Sequence, residues 1–169
     1  LLARGVANVI LLGEKEKIHA DAAELGLNID GAEIISLNDE ERLSKYATEF
    51  ARLREKKGVT YKKAYETVKD VSYFGTMMVH MGDADGMVSG ALHTTAHTIV
   101  PSFQLFNTKP ETSIVSSVFL MLLEDRVLVY GDCAVNPDPT AEQLADIAIS
   151  SAQTAEQFDI PPRIAMLSY

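Results

Sequence analysis

The chain of 169 residues carries 24 acids against 15 lysines and arginines, a formal net charge of −9 at pH 7. That balance excludes nucleic acid as the main partner, because phosphate-backbone binding draws on positive charge. A single cysteine excludes an internal disulfide framework and fits a reducing cytoplasm, no apolar run reaches the length of a bilayer crossing, and 47% apolar residues suffice for a real core.

In chain order, Asn8 to Gly13 (NVILLG) is a short apolar run closed by glycine, as a buried parallel strand would be. Glu14 to Leu25 follows as a helix with Ile18, Ala22 and Leu25 on one face, and Ala32 to Leu37 is a second strand. Asn38 stands before Asp39, Glu40 and Glu41, the pattern of an N-cap with acids in the first turn. The helix it opens carries Leu43, Tyr46, Ala47, Phe50 and Leu53 on one face and stops near Gly58. Thr60 begins another, with Ala64, Tyr65 and Val68 inward. Asp85 to Gly90 (DGMVSG) is expected to form a compact strand between glycines. Thr112 to Leu123 and Arg126 to Asp132 form an apolar pair joined by Glu124 and Asp125, the makings of a hairpin. Thr140 caps the clearest helix, with Gln143 three residues on and Leu144, Ile147, Ala148, Ala152 and Ala155 as its stripe. Arg163 to Tyr169 (RIAMLSY) reads as a last buried strand. Strands alternating with helices argue for an α/β fold with a largely parallel sheet. Asn107 to Glu111 (NTKPE) interrupts two apolar stretches and is the best boundary candidate. The start at Leu1 and the end inside a strand-like run lead us to expect a piece of a longer chain.

Residues 82 to 101, GDADGMVSGALHTTAHTIVP, are unlike generic core. Glycines around a strand often mark only turns or tight packing. The functional reading is a strand ending near Gly90 whose exit loop carries Thr94, Thr95 and Thr98 into a helix. Unpaired N–H groups at a helix start, with hydroxyls beside them, bind phosphate or a related oxyanion. His93 and His97 are spaced to share a helical face and hold zinc, with a third ligand from Asp83, Asp85 or elsewhere, but such histidines are more often structural. Upstream, Arg52 to Lys63 gathers six of the 15 cationic side chains, either a solvated helix face or the charge an anionic substrate needs. Cys133 has no histidine or cation beside it in sequence, and we expect it to be buried and inert.

Three blocks, Tyr73 to Leu105 (YFGTMMVHMGDADGMVSGALHTTAHTIVPSFQL), Ser116 to Ala152 (SSVFLMLLEDRVLVYGDCAVNPDPTAEQLADIAISSA) and Pro162 to Tyr169 (PRIAMLSY), closely resemble the phosphate acetyltransferase (phosphotransacetylase) family. The likeness runs from about Arg52 to the end and more loosely back through VILLG. It implies reversible acetyl transfer between CoA and inorganic phosphate, with CoA, acetyl-CoA, acetyl phosphate and phosphate as substrates and no metal or other cofactor. It implies a cytoplasmic homodimer with no nucleic-acid or membrane partner. It implies a three-layer α/β/α fold like that of the isocitrate and isopropylmalate dehydrogenases, in two domains with the site in the cleft between them: residues 1–109 as part of the first, and residues 110–169 as part of the second. By resemblance Thr94 and Thr95 face the phosphoryl end of the substrate, with Ser89 and His97 in the same run. Arg54 aligns with an arginine that assists substrate binding, and Ser168 and Tyr169 open a loop bordering the cleft. The family's catalytic serine, arginine and aspartate would fall after Tyr169, so the chain alone is expected to be nearly inactive.

Two positions depart from the family pattern. Relatives read TADTIRP or TANTIRP where this chain has TAHTIVP, so His97 replaces an acid or amide and Val100 an arginine. The neutral valine leads us to expect weaker phosphate binding, a charge-assisted contact being worth about 1.5–3 kcal/mol. Three other readings compete: a non-catalytic acyl-CoA-sensing domain such as those that end some malic enzymes, phosphate butyryl transfer, and a zinc hydrolase built on His93 and His97.

Overall fold

The computed structural model describes residues 1–110 and 112–167. They form an α/β protein that divides into two compact units, Leu1–Phe106 and Asn107–Tyr169. Among the described residues no helix is long and apolar enough to cross a membrane.

The first unit opens with β1 (Ile10–Leu12), α1 (Lys15–Glu24) and β2 (Glu33–Ile35), a β-α-β turn that pairs β1 with β2 in parallel, Ile10 opposite Glu33 and Leu12 opposite Ile35. Four helices follow: α2 (Glu40–Leu53), α3 (Tyr61–Val68), α4 (Val71–Met81) and α5 (Thr95–Leu105). The expected face of α2 is the heart of the core. Leu43, Tyr46, Ala47 and Phe50 are buried against Ala64 and Val68 of α3 and Phe74, Met77 and Met78 of α4, with Ile10 and Leu12 of the sheet packed alongside. Thr60 caps α3 as the sequence leads one to expect, accepting from the N–H of Lys63 at 3.3 Å. The cap of α2 is Asp39 rather than Asn38. The Asp39 carboxylate accepts from the N–H of Arg42 at 3.0 Å, whereas the Asn38 amide donates to Glu14 at 3.1 Å and is not available.

Helix α4 is the element the sequence conceals. Its run VSYFGTMMVHM buries Ser72, Phe74, Gly75, Thr76, Met77 and Met78, so it shows no apolar stripe with a polar back. Asp70 caps its start and Gly82 closes it at φ 75°, a conformation that favours glycine.

The second unit holds β3 (Val118–Leu122) and β4 (Val127–Gly131), an antiparallel hairpin with Val118 opposite Gly131 and Leu122 opposite Val127, then α6 (Ala141–Gln157). The hairpin joined through Glu124 and Asp125 is as expected, with shorter strands. Thr140 and Gln143 form the expected capping box, the Thr140 N–H donating to the Gln143 side chain at 2.9 Å and the Gln143 N–H to the Thr140 hydroxyl at 3.3 Å. Replacing Thr140 with alanine is expected to destabilise this unit by about 1 kcal/mol, and with glycine by a few tenths, in urea unfolding.

Two expected strands are not formed. Residues 85–90 are coil, and Val88 stands fully exposed. A strand needs a hydrogen-bonding neighbour, and here the segment lies instead on α4: a Cβ at Gly75 would meet the Met87 sulfur at 2.5 Å, so the missing side chain lets Met87 seat there. Residues 163–167 are likewise coil, with Ile164, Met166 and Leu167 exposed and no ladder partner among the described residues. The largely parallel sheet is replaced, among the described residues, by one parallel and one antiparallel pair.

Candidate functional site

Because residues 83–94 are coil, Thr94 is reached from α4 and not from a central strand. The rule that ligands sit beyond strand ends therefore does not place the site. Thr94 is the N-cap of α5, its hydroxyl accepting from the N–H of His97 at 3.2 Å. The N–H groups of Thr95 and Ala96 lie in the first turn, where no intrahelical acceptor exists. Thr94, Thr95 and Ala96 are all exposed, so this turn offers hydroxyls and backbone donors to an incoming anion. Gly90 brings the coil back onto the turn, a Cβ there lying 3.9 Å from the Thr98 hydroxyl. Ser89 is exposed on that coil.

The imidazole of His97 is held on both sides by the first turn of α4. Its Nε2 lies 2.8 Å from Asp70 Oδ2 and its Nδ1 3.0 Å from the buried Ser72 hydroxyl. Its face stacks on His93, ring centroids 4.4 Å apart and planes 11° from parallel. A zinc ion would need one of these nitrogens. Asp83, one of the acids considered as a third ligand, is engaged elsewhere: it accepts from the Tyr46 hydroxyl at 2.7 Å and from Lys45 at 3.1 Å. The Tyr46 bond is the largest of the interactions holding the Asp83 carboxyl below its ordinary value. Among the described residues no three His, Cys, Asp or Glu side chains come together in a metal-binding group.

Arg54 ends α2, and its Nε is buried with no hydrogen-bond partner. Its charge acts on Tyr73 of α4. Burial raises the Tyr73 hydroxyl above its ordinary value; a hydrogen bond with Gln104 of α5 and the nearby Arg54 guanidinium pull it down, while Asp70 raises it. His97 touches the first turn of α4 directly, whereas Arg54 acts on it through its charge at Tyr73. The other arginine of the cationic run is committed: Arg52 binds Glu49 through two contacts of 2.7 Å and, as the largest influence, takes the Glu49 carboxyl to about 2, against a smaller upward effect of burial. Ser168 and Tyr169 lie outside the described residues.

Asp70 and Ser72 are neighbours of the site that sequence reasoning did not single out. Their partner is 25 to 27 residues away, and no local spacing announces it. In the second unit, an apolar cavity of about 790 Å³ is lined by β4, α6 and residues 160–167, and includes none of the residues expected at the site. Cys133 is half-buried rather than fully buried and donates to the Ser117 hydroxyl at 3.3 Å.

Residues 1–169 match the family described as phosphate acetyl/butaryl transferase. The chain is 56% identical over its whole length to a phosphate acetyltransferase of Nitratidesulfovibrio vulgaris, of which it covers 24%, and 56% identical to one of Corynebacterium glutamicum, of which it covers 51%. Among solved structures, a phosphotransacetylase from Streptococcus pyogenes matches 99% of the chain with a TM-score of 0.89 at 44% identity. The EutD phosphotransacetylase from Staphylococcus aureus matches all of it at 0.88 and 39%, and the chain spans 51% of each of these two. It therefore spans from about a quarter to about half of the relatives named.

Proposed function

The chain belongs to the phosphate acetyl/butaryl transferase family, and from that premise we propose that it is part of a phosphate acetyltransferase. In the reaction, the sulfur of CoA attacks the acetyl carbonyl of acetyl phosphate, the new C–S bond replaces the C–O bond to phosphorus, and inorganic phosphate leaves. The thiol proton must pass to a base, and the carbonyl oxygen and departing phosphate must be stabilised by N–H groups and cations. We assign the phosphate side to Thr94 and Thr95 at the start of α5, with Ser89 on the adjoining coil and Arg54 supplying positive charge. The observation that carries this reading is the match along the whole chain to phosphate acetyltransferases at 56% identity, joined to the exposed donor-rich turn at Thr94 and Thr95.

The same reading assigns the chain to two α/β domains meeting near Lys109–Pro110, to the three-layer architecture of the isocitrate and isopropylmalate dehydrogenases, and to a cytoplasmic homodimer. The acyl group is acetyl in preference to butyryl because the relatives named above are acetyltransferases.

Acetyl transfer from acetyl phosphate to CoA, measured on the gene product at its natural length, is the test. Replacing Arg54 with alanine is expected to raise KM for acetyl phosphate about tenfold or more, the loss of one charge-assisted contact. Val100 is 38% exposed on α5, and Val100→Arg is expected to lower that KM. Absence of acetyl transfer would sink the activity, and an unchanged KM in Arg54→Ala would remove that residue from the site.

A further inference from the structure

One of the residues that fasten the first turn of α5 is His97, and its fastening leads outside the turn. His97 gives its backbone N–H to the Thr94 hydroxyl at 3.2 Å, so it sets the cap. Its ring stacks on His93, the residue just before that cap. The ring itself is held by α4: Nε2 to Asp70 Oδ2 at 2.8 Å, Nδ1 to Ser72 Oγ at 3.0 Å. Asp70 in turn is fixed by its other oxygen, Oδ1, which accepts from the N–H groups of Ser72 at 3.0 Å and Tyr73 at 3.2 Å. One carboxylate therefore caps α4 and orients the side chain that holds the cap of α5.

For a neutral imidazole the geometry also selects a tautomer. A carboxylate accepts only, so Nε2 carries the proton and donates to Asp70; Nδ1 is then left with a lone pair, which the Ser72 hydroxyl satisfies as donor. Ser72 is 1% exposed, so water does not compete for that bond. Swinging the ring away would leave Ser72 unsatisfied in the core and cost free energy.

We infer that Asp70 is a positioning residue for the Thr94–Thr95 turn, acting through His97 to hold the turn's hydroxyls and N–H groups in the geometry that receives phosphate. This rests on the phosphate-side assignment made above. Asp70 touches no substrate. Its effect is to spare the turn an ordering cost at the moment of binding.

Two substitutions separate this role from simple capping. Serine caps a helix about as well as aspartate but is too short to reach His97 while doing so, so Asp70→Ser keeps α4 capped and cuts the tether. Asparagine caps equally well and can turn its amide N–H₂ toward His97, restoring the bond with the opposite tautomer, Nδ1–H donating to Ser72. In the natural-length protein, Asp70→Ser is expected to raise KM for acetyl phosphate roughly tenfold, with kcat and KM for CoA within about twofold of the parent, and Asp70→Asn to recover most of the loss. The melting temperature of both should stay near the parent's. Equal KM values for acetyl phosphate in Asp70→Ser and parent would overturn the inference, as would a parallel rise for both substrates with a lowered melting temperature. If the parent itself shows no acetyl transfer, the functional reading has failed on its own, and amide exchange still decides the tether. The His97 and Thr98 amides should exchange about tenfold faster in Asp70→Ser; no change there refutes the positioning.

Discussion

Truncating Phe74 to alanine is expected to destabilise the Leu1–Phe106 unit by about 3–5 kcal/mol, at the top of the range for a single core substitution. The side chain is 0% exposed and lies between α2 and the rest of the core. Its ring meets Tyr46 edge-on, with centroids 5.2 Å apart and planes at 73°, an arrangement that adds about 0.5–1.5 kcal/mol to the burial itself. The neighbours cannot close the gap cheaply. Tyr46 is tied to Asp83 through its hydroxyl, and Met77 is fully buried on the same helix. Whole domains are stable by only about 5–15 kcal/mol, so the variant loses a large part of its margin. Urea unfolding should show a lowered midpoint with an unchanged slope, and Phe74→Leu should cost far less because most of the volume remains. A loss under about 1 kcal/mol for alanine would show that α4 is not the keystone of this unit.

That keystone was the part of the fold least legible beforehand. Helices α2, α3 and α6 could be read because each pairs an apolar stripe with a polar back and opens on a capping side chain. Thr60 and Thr140 cap where expected; Asn38 did not, because Glu14, 24 residues earlier, takes its amide. Helix α4 is buried on most sides, so periodicity had nothing to contrast. The reverse error arose at residues 85–90, where glycines flanking Met87, Val88 and Ser89 look like strand ends. What decides that segment is Gly75, whose missing side chain seats Met87, and no window of neighbouring residues contains that fact.

The candidate site was legible to the same depth. The donor-rich turn at Thr94 and Thr95 shows in composition, because hydroxyls and small residues in front of an apolar helical run mark a cap. Its support does not show. Asp70 lies outside the run that composition marks, and its bond to His97 exists only because α4 and α5 pack with their first turns together. The resemblance to phosphate acetyltransferases pointed to the same run of residues as composition, while the departure at His97 became intelligible only through Asp70 and Ser72.

The second large effect belongs to the other unit. Asp132 follows β4 and organises the loop 132–136 around its carboxylate. Oδ1 accepts from the Ser117 hydroxyl and from the N–H groups of Ala134 at 2.9 Å and Val135 at 3.2 Å; Oδ2 accepts from the Asn136 N–H at 2.8 Å and side-chain amide at 2.5 Å. Asn136 also reaches back to the Val115 carbonyl at 2.8 Å, so the loop is sewn to the segment before β3. Asp132→Ala strands these donors together. We expect it to destabilise the hairpin and α6 by about 3 kcal/mol, the upper figure for one charged hydrogen bond, since several donors are freed and some then reach water. Asp132→Asn should cost less, but its amide N–H₂ must face a donor and one bond turns repulsive. The pH dependence separates the two causes. Burial alone would raise the Asp132 carboxyl, but the bonds from Ser117, Ala134, Val135 and Asn136 together hold it well below the usual carboxylate range. A folded-state value below the unfolded one, about 3.9, means that the stabilisation is complete above that unfolded value and is lost as pH falls toward the folded one. Unfolding curves at pH 7, 4 and 3 should therefore show the parent losing stability on acidification more steeply than Asp132→Asn, whose uncharged side chain has no proton to gain. Parallel pH profiles would mean that the charge of Asp132 contributes nothing, and that shape alone holds the loop.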